Sequence, residues 1–471
     1  MADPGVNESE KRDRRLRKQM PSPLRVHRAA VASQAGKDKV DFLATAAGAA
    51  PAEARPKSSR SIGWIVAASL IAGAVAAMVL VGFVVAGAEE PVITGSVMIG
   101  FGFGWALLAL LSVRLTEQPQ RWAIVPAAFM MLVGAALILS APSADNMTIL
   151  GWVWPPVLLA LVVWMFVQAR KHLRSRTRVW LLYPVLGVLV LAALGGVYGA
   201  IRESLESDVI QTSGELVDVG GHRLYVNCAG SGSPTVVLEA GLWQSSAYWE
   251  SIATTVAADS RVCVYDRAGL GQSDPAPGPQ DGVAIATDLH ALLDGAQVDG
   301  PYLLVGHSSG GVYVKIFASE YPDEVAGMVL LDAQPVEALT ELPNYPAFYD
   351  MTRTISALAP SLSRLGVFPV AFARSVRDEF AELPTALQQG AALTSLGDRP
   401  LIVVTAEAEA EEGWLPLQER MVNLSTNSVQ RLLPDATHAS LIEDESDAAV
   451  ASQAILDAVE SVRTGTPLAE S

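Results

Sequence analysis

Tyr302-Leu303-Leu304-Val305-Gly306-His307-Ser308-Ser309-Gly310-Gly311 is the stretch on which the fold turns. Four residues that read as a short buried strand run into a Gly-x-Ser-x-Gly sequence, and Val312–Tyr321 behind it reads as a helix. A strand-to-helix turn this tight needs small residues on both sides of the serine. It lifts the hydroxyl above the sheet and aims a helix N-terminus at any negative charge that develops there. Gly and Ser alone are common; the strand before and the helix after make the motif specific.

Short β-rich runs surround it. Val217–Asn227, Pro234–Glu239, Arg261–Tyr265, Val325–Leu331, Leu401–Thr405 and Val429–Leu433 read as strands, and Gly282–Leu293 and Ala448–Val462 as amphipathic helices. Strands alternating with helices predict an α/β domain, a mostly parallel sheet covered on both faces.

The matching pieces stand in the order of the α/β-hydrolase superfamily, which residues 213–465 resemble. Leu238-Glu239-Ala240-Gly241-Leu242-Trp243 takes the place of the oxyanion-hole loop. Tyr265-Asp266-Arg267-Ala268-Gly269-Leu270-Gly271-Gln272-Ser273-Asp274 looks like the turn after the fourth strand, Gly306–Gly310 like the nucleophile elbow, and Pro434-Asp435-Ala436-Thr437-His438 like the late histidine loop. The resemblance implies a Ser-His-acid hydrolase that needs neither metal nor organic cofactor. Residues 334–398, with Pro343, Pro346, Pro360 and Pro369, resemble the helical cap that covers the pocket in relatives.

A serine hydroxyl is a poor nucleophile until a base takes its proton. Ser308 is the expected nucleophile and His438 the base. Of the other histidines, His27 and His172 fall in the tail and a loop, His222 and His290 read as structural, and His307 is the variable elbow position. The expected oxyanion donors are the backbone N–H groups of Leu242 and Ser309. The acid stays open between two positions: Asp332, after the sixth strand, and Glu409, in the Glu407–Glu412 run after the seventh. Asp266 and Arg267 read as turn-locking. Trp243, Tyr248 and Trp249 read equally as pocket lining or helix packing.

Composition shows that this domain is not the whole story. Only 17% of the 471 residues are charged, against about 25% in an ordinary soluble chain. Residues 1–60 carry a net charge of +6, residues 61–201 of +3, and residues 202–471 of −25. The acidic part is a poor nucleic-acid binder, since phosphate contacts need Lys and Arg. Residues 1–60 read as a disordered basic cytoplasmic tail; its cluster Lys11–Lys18 is either simply solvated or leans on anionic lipid.

Five apolar runs without Asp, Glu, Lys, Arg or His occupy Ile62–Ala88, Val92–Val113, Trp122–Ala141, Ile149–Gln168 and Val179–Ala200. Each is near the roughly 20 residues that cross a bilayer, predicting five transmembrane helices within 61–201 and a hydrolase domain over 202–471. Loops holding Arg114 and Arg121, and Arg170, Lys171, Arg174, Arg176 and Arg178, alternate with loops that lack Lys and Arg. The positive-inside rule then makes the N-terminus cytoplasmic and the acidic domain extracytoplasmic. Gly100/Gly104 and Gly195/Gly199 have the spacing of close helix packing or of a dimer face.

The expected activity is that of a multi-pass cell-membrane enzyme, bacterial by its Ala-, Gly- and Val-rich composition. Its expected substrate is a small carboxylic ester or a lipid-like acyl compound. An amidase or peptidase using the same groups, and a silent sensor that keeps the fold, are the competing readings. Cys228 and Cys263 are the only cysteines. In the fold that the domain resembles their strands are neighbours, which opens a disulfide between them.

Overall fold

The computed structural model describes residues 61–85, 88–172, 182–206, 214–363 and 370–469. The basic tail, the cluster Lys11–Lys18 and Arg174, Arg176 and Arg178 lie outside the described residues.

Helices α1 (Ser61–Val79, extended by a π turn over Leu80–Val84), α2 (Glu90–Leu115), α3 (Ile124–Ser140) and α4 (Ala144–His172) open the chain. These four are long and apolar enough to cross a membrane. Large apolar side chains such as Trp64, Phe83 and Leu139 stay exposed on their outer faces. In water this would be costly; against lipid tails it is not. Helix α5 (Tyr183–Glu206) follows, but its apolar segment Tyr183–Tyr198 is shorter than the other four. Gly100 and Gly104 serve packing within the chain. A Cβ on Gly100 would lie 2.5 Å from Ala77 Cα, and one on Gly104 2.9 Å from Gly73 Cα, so α1 and α2 touch backbone to backbone.

An eight-stranded sheet follows: β1 (Glu215–Asp218), β2 (Arg223–Ala229), β3 (Thr235–Glu239), β4 (Val262–Tyr265), β5 (Tyr302–His307), β6 (Val325–Leu331), β7 (Leu401–Ala406) and β8 (Ser428–Leu433). Their order is β1-β2-β4-β3-β5-β6-β7-β8. The β1–β2 and β2–β4 pairs are antiparallel and all others parallel. The run Val217–Asn227 is therefore not one strand but a hairpin. It breaks at Gly220-Gly221, both at positive φ, where Asp218 Oδ1 accepts the two glycine N–H groups at 2.8 and 3.2 Å.

Side chains alternate across the sheet, as a period of two requires. Val237 and Leu304 join one core with helices α7 (Gly282–Gly295) and α8 (Gly310–Glu320). Val236, Leu238, Leu303 and Val305 join the other, with α6 (Glu250–Ala257) and the C-terminal helix Glu445–Thr464. Between β6 and β7 lie α9 (Ala338–Glu341), α10 (Tyr345–Ser363) and α11 (Val370–Gly390), in the span expected for a cap. Cys228 and Cys263 face each other across the β2–β4 pair and are bonded, with Cα atoms 4.1 Å apart.

Candidate active site

The elbow is built from close approaches. A Cβ on Gly306 would lie 2.6 Å from the backbone of Gly310, and one on Gly310 2.3 Å from Glu239 O. Only glycine lets the turn close and lets α8 begin against the end of β3. Ser308 itself sits at φ 56°, a left-handed conformation that costs a non-glycine residue free energy and is held by its surroundings. Its N–H donates to Leu331 O at 3.2 Å, and its carbonyl accepts from Gly311 N at 3.1 Å and Gln334 N at 2.8 Å.

The histidine loop meets the end of β6. His438 Nδ1 lies 2.6 Å from Asp332 Oδ2. Asp332 is held in turn: its N–H donates to Val404 O at 2.7 Å, and its Oδ1 accepts from Trp414 Nε1 at 2.8 Å and Ala406 N at 3.4 Å. The Asp332 side chain is 4% exposed and that of His438 is 45% exposed. The acid is thus sealed, while the imidazole has a free edge. Glu409 stands exposed at positive φ and, among the described residues, is not bonded to His438. Trp414 carried no signal in sequence, because it follows β7 and reaches Asp332 only in the folded chain.

His307 holds the histidine loop beside Ser308. Its Nε2 donates to His438 O at 2.9 Å, and its Nδ1 lies 3.3 Å from Gln244 Oε1, which accepts the Gly241 N–H at 3.0 Å. Burial first, and His438 second, push the His307 imidazole down to about 3, so it is neutral and its Nε2 carries the proton.

Arg267 does not lock its own turn. Its guanidinium is buried and donates to Ala240 O and Gly241 O, both at 2.7 Å, to Glu239 Oε1 at 2.5 Å and to Glu379 Oε1 at 2.7 Å. Glu379, on α11, also accepts the Trp243 N–H at 2.8 Å. Burial opposes the charge on Arg267, but Glu379 and Glu239 outweigh it and hold its pKa well above the ordinary value. Burial also pushes the Glu239 carboxyl up, against the pull of Arg267. Asp266 does lock the turn, accepting Ser246 N at 2.6 Å and Gln272 N at 2.9 Å.

With its carbonyls fixed in this way, the loop leaves the Leu242 amide without a protein acceptor, as is the Ser309 amide, among the described residues. Trp243 is partly exposed and stacks on Phe380 of α11 at 5.5 Å. Trp249 is fully buried below the sheet and packs there, which rules out a lining role. His222 pairs with Asp288 and His290 with Glu324, each at 2.9 Å, away from this centre. Among the described residues no group of three His, Cys, Asp or Glu side chains could hold a metal ion.

Comparison with known proteins agrees with the fold. Residues 234–402 match the family model for the alpha/beta hydrolase fold. The uncharacterized protein YqjL of Bacillus subtilis is 29% identical over 205 residues, 42% of this chain and 74% of that protein. The probable transporter efuK of Hormonema carpetanum is 31% identical over 149 residues, 30% of this chain, and the match spans only 21% of that protein. Among solved structures, a putative lipase from Acinetobacter baumannii is 18% identical, with a TM-score of 0.46, over 57% of this chain and 97% of that one.

Proposed function

The chain belongs to the α/β-hydrolase superfamily, and from that premise we propose that it is a membrane-anchored serine hydrolase that cleaves carboxylic or lipid-like acyl esters outside the cytoplasm. The observation that carries the reading is the 2.6 Å contact of His438 Nδ1 with the sealed carboxylate of Asp332, at the rim of the strained Ser308 elbow. Asp332 orients the imidazole, leaving Nε2 to take the Ser308 proton as Oγ attacks the acyl carbon. The amides of Leu242 and Ser309 receive the oxyanion that forms. His438 returns the proton to the leaving alcohol, and water then releases the acyl group by the same steps. Residues 61–201 are the anchor and residues 202–471 the catalytic domain.

The orientation rests on two supports. The basic residues Arg114, Arg121, Arg170 and Lys171 cluster at alternate loops, which by the positive-inside rule are cytoplasmic. The cap helix α11 pairs with the opposite end of α2, where Arg374 Nε lies 2.5 Å from Glu90 Oε2. Four crossings would leave the chain on the cytoplasmic side after His172, so α5 is the fifth crossing.

Fluorophosphonate labelling of the intact membrane protein tests the chemistry. Ser308→Ala should abolish it, and labelling that persists rejects Ser308. A panel of matched esters and amides separates an esterase from an amidase. Glu117→Cys should resist an impermeant thiol reagent in intact cells, and Gly278→Cys should react; the reverse pattern overturns the orientation.

A further inference from the structure

We infer that α10 is an in-plane helix immersed in the outer leaflet, and that the Ser308 site draws its substrate sideways from the bilayer, so that the substrate is an acyl ester of a membrane-resident lipid. The inference rests on the serine hydrolase reading for its chemistry and on separate geometry for its placement.

The placement follows from how α10 meets the spans. Ala357 of α10 is buried against Val81 and Ile93, with Leu358, Ala88 and Val97 packed around them. A Cβ on Gly82 would lie 3.8 Å from Thr354 Cγ2. At 1.5 Å per residue, Val97 stands about 10 Å along α2 from Glu90. Interfacial helices bury their apolar face about 5–10 Å into the boundary of headgroups and tails. Helix α10 is therefore docked on the end of α1 and α2 at the depth such helices occupy, and the Arg374–Glu90 ion pair fixes its neighbour α11 there too.

The free surface of α10 matches that depth. Phe348, Met351, Ile355 and Leu362 are 48–59% exposed. At about 100° per residue they share one arc roughly 60° wide. That arc lies about a quarter turn from the one holding Thr354, Ala357 and Leu358, so it flanks the contact with the spans rather than pointing away from it. The charged residues Asp350 and Arg353 fall outside it. The end of the first span, which Thr354 and Ala357 meet at Gly82 and Val81, exposes the apolar side chains Val79, Phe83 and Val84 as well. The bilayer that would surround the spans is the occupant these neighbouring apolar surfaces select.

The same helix reaches the catalytic centre. Tyr345, which packs against Phe348 at 5.9 Å, accepts a hydrogen bond from Gln334 Nε2 at 2.7 Å. The Gln334 backbone N–H holds the Ser308 carbonyl. Tyr349 OH donates to Phe380 O at 2.9 Å, and Phe380 stacks on Trp243 beside the Leu242 amide. These contacts tie α10 to the elbow and to the loop that holds the Leu242 amide.

The test uses the full chain in phosphatidylcholine vesicles. The double variant Met351→Glu, Ile355→Glu should keep fluorophosphonate labelling and p-nitrophenyl butyrate turnover within about twofold, yet lose about tenfold or more of its turnover of a long-chain acyl ester dissolved in the vesicles. Equal loss on both esters, or loss on neither, overturns the lateral supply. An environment-sensitive fluorophore on Ile355→Cys should be quenched by lipid carrying a nitroxide on its acyl chain and protected from aqueous iodide. The opposite pattern overturns the immersion. If the unaltered chain takes neither the phosphonate nor the short ester, the hydrolase reading fails and lateral supply fails with it, while quenching still decides where α10 lies.

Discussion

His438 and Asp332, 106 residues apart in the chain, meet at 2.6 Å because the loop after β8 folds over the end of β6. The contact pairs the imidazole with the carboxylate that Trp414 and the Ala406 amide already hold in place. Asp332→Asn should therefore lower ester turnover by about 10⁴ with little change in stability, since the wrong tautomer is then favoured. Glu409→Gln should leave turnover within about twofold, because Glu409 is exposed and, among the described residues, is not bonded to His438. Steady-state kinetics on both variants decides between them; the reverse ranking would move the acid to the loop after β7.

His307 holds the His438 carbonyl beside the elbow through its Nε2–H. His307→Ala should lower kcat about tenfold or more with little change in KM, since it releases the loop that aims the base. His307→Gln should recover part of the loss. Burial holds His307 down to about 3, so it stays neutral at all higher pH. The shape of the pH–rate profile between about pH 5 and 9 should be the same in the glutamine variant and in the unaltered enzyme.

Arg267 is the sole cation shared by Glu239 and Glu379 among the described residues. Arg267→Met leaves two buried carboxylates without it and should cost about 3–5 kcal/mol of stability. Arg267→Lys keeps the charge but cannot reach four acceptors at once. It should lower kcat by loosening the carbonyls of Ala240 and Gly241, which set the direction of the Leu242 amide. Thermal unfolding followed by tryptophan fluorescence, alongside kinetics, separates the two effects.

Lys315, on α8, is buried with Met421 Sδ as its hydrogen-bond partner at 3.3 Å. Burial pushes its ammonium down to about 8, from 10.5. The unfolded chain then binds more protons than the folded one between those values, so stability rises with pH across that window. Below about pH 8 the full penalty applies, on the order of 3 kcal/mol. Lys315→Met should raise the unfolding midpoint at pH 7 and flatten its rise between pH 8 and 10.5; an unchanged midpoint with the same slope would reject the account.

The Cys228–Cys263 bond closes a separation of 35 residues. Constraining the unfolded chain in this way is worth about 3–4 kcal/mol. Reduction should lower the unfolding midpoint while leaving the kinetics of the folded enzyme unchanged, because neither cysteine touches the catalytic centre. Peptide mapping of unreduced, alkylated protein checks the bond itself.

Local pattern carried much of this protein. Small residues around Ser308, with a strand before and a helix after, specify a tight strand-to-helix turn that is legible in ten residues. Uncharged runs of about 20 residues and the alternation of basic loops are equally local, and they predict helices apolar enough to cross a membrane before any contact is known. The hairpin at Gly220-Gly221 was also written locally, in a glycine pair that interrupts the apolar run. What needed the tertiary structure is everything that joins distant segments. Asp332 and Glu409 are equivalent as sequence, each an acid after a strand, and only the path of the loop after β8 brings one of them to His438. Arg267 reads as a turn residue until the cap helix brings Glu379 to it from 112 positions away. The seating of α10 on the first two spans has no local signal at all, because an apolar stripe looks the same whether it faces a core, a partner or a lipid. Short-range sterics and hydropathy act within a few residues and can be read in order along the chain; pairings across a hundred residues depend on which loops the packed sheet brings together.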